Sequence, residues 1–241
     1  MEPGTAAAPA RAVARSGQPA PLRGRVVVID PGHNGDNYRH PAEIGRLVDA
    51  GGFRKACDTT GTVDATGYTE AAYTLDVARR LARLLRRRGA RVILTRTRND
   101  GWGPCIDERA AIANRARADA AISIHADGAA AAGRGFHVIY PAPARARSAR
   151  VAARSRRLAV RVRDAFHAMT GAPYSTYAGR AGLQARDDLG GLNLSRVPKV
   201  LVETANMRNP SEARRLRRPA YRELQARGLA RGVTSFLRVR E

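Results

Sequence analysis

A single α/β domain, with a largely parallel or mixed sheet and helices on both of its faces, is what this 241-residue sequence predicts. Three observations point there. Short β-branched apolar runs recur at residues 25–30, 90–96, 120–125 and 199–203, and continuous rather than alternating runs belong to strands buried on both faces. Between them lie longer stretches with apolar residues every three or four positions, the spacing of amphipathic helices. No internal repeat or change of composition divides the chain, whose length suits one hydrophobic core.

Residues 1–22 are rich in Ala and Pro, with no periodicity and no apolar stretch of the signal-peptide kind. They read as a disordered leader ahead of a domain spanning 23–241. Residues 25–30 form a buried strand, which Pro31-Gly32 turns sharply out of the sheet. Residues 34–67 show no sustained period and are punctuated by Gly51-Gly52, Gly61 and Gly67. A loop of that length inside a compact domain is usually functional or disordered; joining His33 to Glu70, it is expected to wall a cleft.

Residues 68–88 read as a helix stopped by Gly89, with Val77, Leu81, Leu84 and Leu85 in the apolar stripe. Arg79, Arg80, Arg83, Arg86 and Arg87 take the other face. Stepping the stripe back by three or four residues reaches Tyr73 and then Glu70, which places that carboxylate in the first turn, facing inward. A second strand follows at 90–96, then a short helix capped by Asp107 and running to about 117, then the strand at 120–125. A fourth strand at 135–140 ends at Pro141. The helix at 148–170 turns Val151, Leu158, Val162 and Phe166 inward. Residues 183–193 are irregular or a short strand, 199–203 a further strand, and 219–239 a closing helix with Leu229, Val233, Phe236 and Leu237 inward.

The formal net charge is +22, and Lys55 and Lys199 are the only lysines among the cations. Such a field attracts anionic polymers: nucleic acid, acidic lipid, or the phosphate- and carboxylate-bearing polymers of a bacterial wall. Aromatic residues make up only 5% of the chain, poor material for stacking bases, so nucleic acid is not the expected partner. No apolar run has the length of a membrane span. Cys57 and Cys105 both lie in loop-like segments without the close pairing of thiolate zinc sites. A disulfide between them is favoured over two free thiols, which implies an oxidising compartment and hence export to periplasm, cell wall or medium.

Four residues stand where elements begin or end: His33 after the first strand, Glu70 at the start of a helix, His125 closing 120–125 and Glu203 closing 199–203. In an open α/β sheet, strand ends that share a direction share an edge, and their side chains converge on one crevice. Two imidazoles and a carboxylate with an open fourth position make a catalytic zinc site, and a second carboxylate supplies proton transfers. Each residue also has a simpler reading. His33 can be a turn histidine bonded to backbone, and Glu70 a first-turn acid facing the helix dipole. His125 can be a core histidine satisfied by Asp127, a residue that could equally orient a metal-bound imidazole. Glu203 can pair with an arginine. His40, His137 and His167 do not stand at strand ends and rank below His33 and His125.

The segment Ile29-Asp30-Pro31-Gly32-His33-Asn34-Gly35 resembles the opening motif of the zinc-dependent N-acetylmuramoyl-L-alanine amidases of amidase-3 type, which are bacterial cell-wall hydrolases. Thr69-Glu70-Ala71 resembles that family's helix-borne glutamate. Thr95-Arg96, Asp107 to Arg109 and Ala113-Asn114 are similar to its central signature, which leads into Ser123-Ile124-His125-Ala126-Asp127. Residues 197–204 are similar to its closing segment, which carries the catalytic glutamate. The match spans about residues 25–238 in the expected order.

The resemblance implies one Zn2+ held by His33, Glu70 and His125, with Glu203 as the catalytic acid–base. It implies hydrolysis of the amide between the lactyl group of N-acetylmuramic acid and L-alanine, in peptidoglycan or its fragments. Two departures stand out. Ala205-Asn206-Met207-Arg208-Asn209 replaces an aromatic-Ser-Asn pattern after Glu203. Residues 141–147 are too few for the occluding helix some relatives carry, so a monomer active without an activator is expected. With no wall-binding module visible, the positive surface is the expected anchor. The competing readings are a non-catalytic peptidoglycan-binding protein and a basic nucleic-acid-binding protein.

Overall fold

Four continuous apolar runs become four adjacent parallel strands, and their shared direction sets where the functional residues meet. The computed structural model describes residue 1 and residues 20–239. The first strand, β1 (Val26–Pro31), is followed by a short helix α1 (Pro41–Gly45) and an antiparallel pair, β2 (Leu47–Asp49) and β3 (Arg54–Ala56). Then come α2 (Glu70–Arg87), β4 (Arg91–Leu94), α3 (Ile106–Arg115), β5 (Ala120–Asp127), β6 (His137–Pro141) and α4 (Ala149–Thr170). The chain continues through β7 (Leu183–Arg186), α5 (Gly190–Asn193), β8 (Lys199–Asn206), α6 (Pro210–Leu216) and α7 (Pro219–Arg238).

The six-stranded sheet runs β4-β1-β5-β8-β6-β7. Strands β4, β1, β5 and β8 are parallel; β6 runs antiparallel to β8, and β7 parallel to β6. The sheet is therefore mixed, with its reversed strands on one side. Alternation sorts its side chains. Val27, Ile29, Ile122, Ile124, Val200 and Val202 face the main core under α2, α4 and α7. Val28 and Ala121 face a smaller cluster with Ala113 of α3. Helices thus cover both faces, as the buried strands require.

The helices follow their sequence signals. Thr69 caps α2 by accepting a hydrogen bond from Ala72 N at 3.3 Å, and Ser148 caps α4 by accepting one from Val151 N at 3.2 Å. One cap differs from expectation. Asp107 lies inside α3, whose N-cap is Cys105, and the Cys105 N–H donates to the Glu108 carboxylate at 2.8 Å. The reciprocal bond from the third helical residue takes the role assigned to Asp107.

Three other expectations are refined. Residues 2–19 of the expected leader lie outside the described residues, but Leu22, assigned to it, is fully buried in the main core, and its N–H donates to Arg88 O at 2.9 Å. The domain therefore begins before residue 23. The long loop 34–67 contains α1 and the β2–β3 pair. It is fastened by a disulfide between Cys57 and Cys105, 48 residues apart in sequence. Residues 183–193 divide into β7 and α5. Among the described residues, no helix is long and apolar enough to cross a membrane.

Candidate metal centre and active site

The carboxyl ends of β1, β5 and β8 meet the first turn of α2, and this junction gathers His33, Glu70, His125 and Glu203. Ligand atoms of His33, Glu70 and His125 all lie within 4.8 Å of one another. Glu203 is directly opposite His125 in the β5–β8 register. Just beyond this pair the register slips, with Asp127 opposite Asn206, so β8 carries an extra residue. Bulges of this kind re-aim side chains beside sites.

Close approach is built into the backbone. A Cβ on Gly32 would lie 2.2 Å from the His125 ring, and one on Gly61 would lie 2.8 Å from the His33 ring. His33 itself has φ 57, a conformation non-glycine residues rarely adopt and one that recurs at functional sites.

Glu70 is 4% exposed and faces inward, as the stripe of α2 requires. Its Oε2 accepts from Thr62 N at 2.9 Å, and its Oε1 accepts from Ala126 N at 3.1 Å. His125 Nδ1 lies 3.0 Å from Oε1 and His33 Nε2 lies 3.4 Å from Oε2. Burial alone would raise this carboxyl, but His33 and then His125 bring it well below the ordinary range. The inward acid is thus met by two imidazoles and two backbone N–H groups rather than left unpaired.

His33 Nδ1 is 3.1 Å from Asp58 Oδ1 and 3.0 Å from the Thr59 carbonyl. Both neighbours are acceptors, so Nδ1 carries a hydrogen, and Nε2 faces the cluster, where its lone pair could serve a metal ion in place of a proton. Burial lowers the His33 pKa, yet Glu70 and then Asp58 raise it to about 10. A potential that holds a proton this firmly also favours a metal cation.

Asp58 connects onward. Arg109 Nη2 donates to Asp58 Oδ2 at 3.0 Å and Nη1 to Asp30 Oδ1 at 2.9 Å, while Lys199 Nζ reaches Asp30 Oδ2 at 3.2 Å. All four of these side chains are buried. Burial pushes the Asp30 carboxyl up, and Lys199 and Arg109 overcome it to hold it far below the usual range.

Glu203 is partly exposed, but its Oε2 is enclosed without a hydrogen-bond partner among the described residues. Burial, followed by the Glu70 and Asp127 carboxylates, raises its pKa well above normal. A carboxyl with a raised pKa beside such a cluster is suited to accepting and returning a proton.

A cavity of about 210 Å³ opens beneath the cluster, with His33 and His125 on one side and Ile106, Leu189, Leu192 and Leu201 on the other. Lys55, Asp58 and Thr59 of the long loop line it, so the loop forms the expected wall.

Not every sequence expectation maps here. Asp127 does not orient His125, whose Nδ1 meets Glu70 instead. His40 pairs with Glu43 at 3.1 Å and His167 Nδ1 faces the Ala172 carbonyl at 2.8 Å, both away from the cluster. His137, ranked low for lying inside a strand, is directly opposite Glu203. Asp30, Asp58 and Lys199 were missed as contributors. Asp30 and Lys199 had a readable signal: opposite charges inside apolar runs that otherwise predict buried strands. Asp58, in an aperiodic loop, had none.

A sheet edge that draws two imidazoles and two carboxylates together, backed by buried charge, places the protein in the class of α/β metal-dependent hydrolases. Within that class the chain belongs to the N-acetylmuramoyl-L-alanine amidase family, the amidase-3 group of peptidoglycan hydrolases, whose profile matches residues 27–235. N-acetylmuramoyl-L-alanine amidase Rv3717 of Mycobacterium tuberculosis is 44% identical over 223 residues, 92% of this chain and 90% of the relative. The crystal structure of the N-acetylmuramyl-L-alanine amidase Ami1 from Mycobacterium smegmatis matches with a TM-score of 0.85 at 42% identity, covering 90% of this chain and 98% of that one. The apo form of Ami1 from Mycobacterium abscessus matches with the same TM-score at 40% identity, covering 90% and 100%.

Proposed function

We propose that the chain hydrolyses the amide between N-acetylmuramic acid and L-alanine in peptidoglycan or its fragments, with one zinc ion held by His33, Glu70 and His125. The observation that carries this reading is the convergence of those three residues beside Glu203. Two nitrogens and one carboxylate oxygen, with a position left for substrate, are the donor set of catalytic zinc. Bound there by His33, Glu70 and His125, the ion would supply Lewis-acid polarisation of the scissile carbonyl and would lower the pKa of water toward neutrality.

The protein's own groups do the rest. Asp58 and the Thr59 carbonyl fix the His33 tautomer, and two backbone N–H groups fix the Glu70 carboxylate. Leu189, Leu192 and Leu201 give the adjoining cavity an apolar wall. Glu203 takes the proton of the attacking water and passes it to the departing alanine nitrogen, which is a very poor leaving group while unprotonated.

The reading extends to the setting of the enzyme. It acts as a monomer without an activator, since the six residues between β6 and the Ser148 cap leave no length for an occluding helix. It works outside the cytosol, where the Cys57–Cys105 disulfide persists, and its arginine-rich surface anchors it to the anionic wall.

Muropeptide mass spectrometry tests the reaction: intact sugar and intact stem peptide are the expected products. A chelator is expected to abolish them and zinc add-back to restore them. Unchanged muropeptides with zinc present would favour the non-catalytic binding protein. Replacing Asp58 with Ala removes the His33 orienting contact and is expected to weaken zinc binding about 10- to 100-fold, measured by competition with a chromophoric chelator.

A further inference from the structure

His137 has no part in the reaction as derived, yet it occupies a conspicuous position. It is 2% exposed and directly opposite Glu203 in the β6–β8 ladder, while His125 is opposite Glu203 on the other side. Opposed ladder positions put side chains on the same sheet face, their Cβ atoms about 4.5–5.5 Å apart. One row of imidazole, carboxylate and imidazole therefore crosses three neighbouring strands, and only one of its imidazoles belongs to the metal cluster.

That row contains two unpaired atoms. His137 Nδ1 and Glu203 Oε2 are both enclosed and without hydrogen-bond partners. The Tyr177 ring meets the His137 ring edge-on at 5.9 Å between centroids. Native interiors rarely leave such groups unpaired, and exceptions cluster where a catalytic role claims them. Burial lowers the His137 pKa to about 4, against the pull of Asp127 and with the push of Arg186. At neutral pH the ring is thus a neutral imidazole with one N–H to donate.

From this geometry we infer that His137 is a positioning residue for Glu203. Nδ1 and Oε2 are not bonded to each other in this structure, but as unpaired atoms on opposed ladder positions they are placed to pair when the ring or the carboxyl turns, with Tyr177 packed edge-on against the ring. The other carboxylate oxygen is then presented to the attacking water and the leaving nitrogen. The inference rests on the proposed acid–base role of Glu203, and it adds a residue that acts through that carboxylate.

The test uses the full zinc-loaded chain acting on a muropeptide. His137→Phe keeps a ring and removes both nitrogens; kcat is expected to fall about 10- to 100-fold, with KM and zinc content within twofold of the parent. His137→Asn places an amide N–H where Nδ1 stood and is expected to recover most of the loss; His137→Gln reaches the Nε2 position instead and is not. In a Glu203→Gln background, His137→Phe is expected to have no further effect. An unchanged kcat in His137→Phe overturns the inference, as does an equal further loss in the Glu203→Gln background. If His137→Phe does not fold, the Asn and Gln variants still decide, and equal activity of the two overturns it. Retained turnover in Glu203→Gln alone removes the base assignment and this inference together; lost turnover there with an unaffected His137→Phe removes this inference only.

Discussion

Replacing Glu203 with Gln is expected to lower kcat by about 10²- to 10⁴-fold while leaving one zinc per chain. The side chain contributes no atom to the His33–Glu70–His125 cluster, so metal binding does not depend on it. Its carboxyl is raised by burial and by the Glu70 and Asp127 carboxylates, and Gln keeps its size while removing its basicity. His125→Ala is expected to behave differently. It removes a member of the cluster, and zinc and turnover are lost together. Metal content by atomic absorption, measured beside kcat on the same preparations, separates the two. If Glu203→Gln loses zinc as well, Glu203 is a ligand rather than a proton carrier; if it retains turnover, another group moves the proton.

This contrast was legible in the sequence because it depends on strand ends. Apolar runs at residues 25–30, 120–125 and 199–203 identify buried strands, and parallel direction brings their last residues to one edge. Counting back along the stripe of α2 placed Glu70 correctly, since helical periodicity extends into the first turn. Legibility ended where structure depends on contacts without a period. The β2–β3 pair inside residues 34–67 is three residues on each side, and it is held near the site by the disulfide and by one apolar residue, Val48, packed with it and Ile106. Asp58 acquires its role only because Cys57 is tied to Cys105 at the start of α3, the helix that carries Arg109. The bulge after His125 likewise has no sequence signature, and of the partners considered for His125, Asp127 is not the one its Nδ1 meets. The short helix α6 did have a readable signal, a capping Asn209 followed by Pro210 at the first helical position.

Arg109→Met is expected to destabilise the fold by about 3–5 kcal/mol, the cost of removing one partner from a buried ion pair. For a domain of this size that is a fall in melting temperature of about 6–20 °C. Arg109 ties two buried carboxylates together, Asp30 and Asp58, and its guanidinium also donates to the carbonyls of Pro31, His33, Gly103 and Pro104 at 2.7 to 3.2 Å. Methionine fills much of the volume but neutralises neither acid. Asp30 then keeps Lys199 and the Thr95 and Ser123 hydroxyls, and Asp58 keeps His33 and the Thr59 N–H, but neither retains its arginine.

The pH dependence has a definite sign. In the parent, the Asp30 carboxyl lies far below its unfolded value of about 3.9. Its stabilising contribution is therefore complete above that value and is lost as the pH falls below it. Without Arg109, both carboxyls rise, and protonating them in the folded state becomes a relief. The stability gap between parent and variant is expected to be widest near pH 7 and to narrow below about pH 4. Denaturant melts across that range measure it. A constant gap would assign the loss to packing and to the four carbonyl contacts instead of to charge. Zinc affinity measured at pH 7 completes the chain of cause. Asp58 orients His33 only while Arg109 holds it, so the variant is expected to bind zinc more weakly even at temperatures where it remains folded.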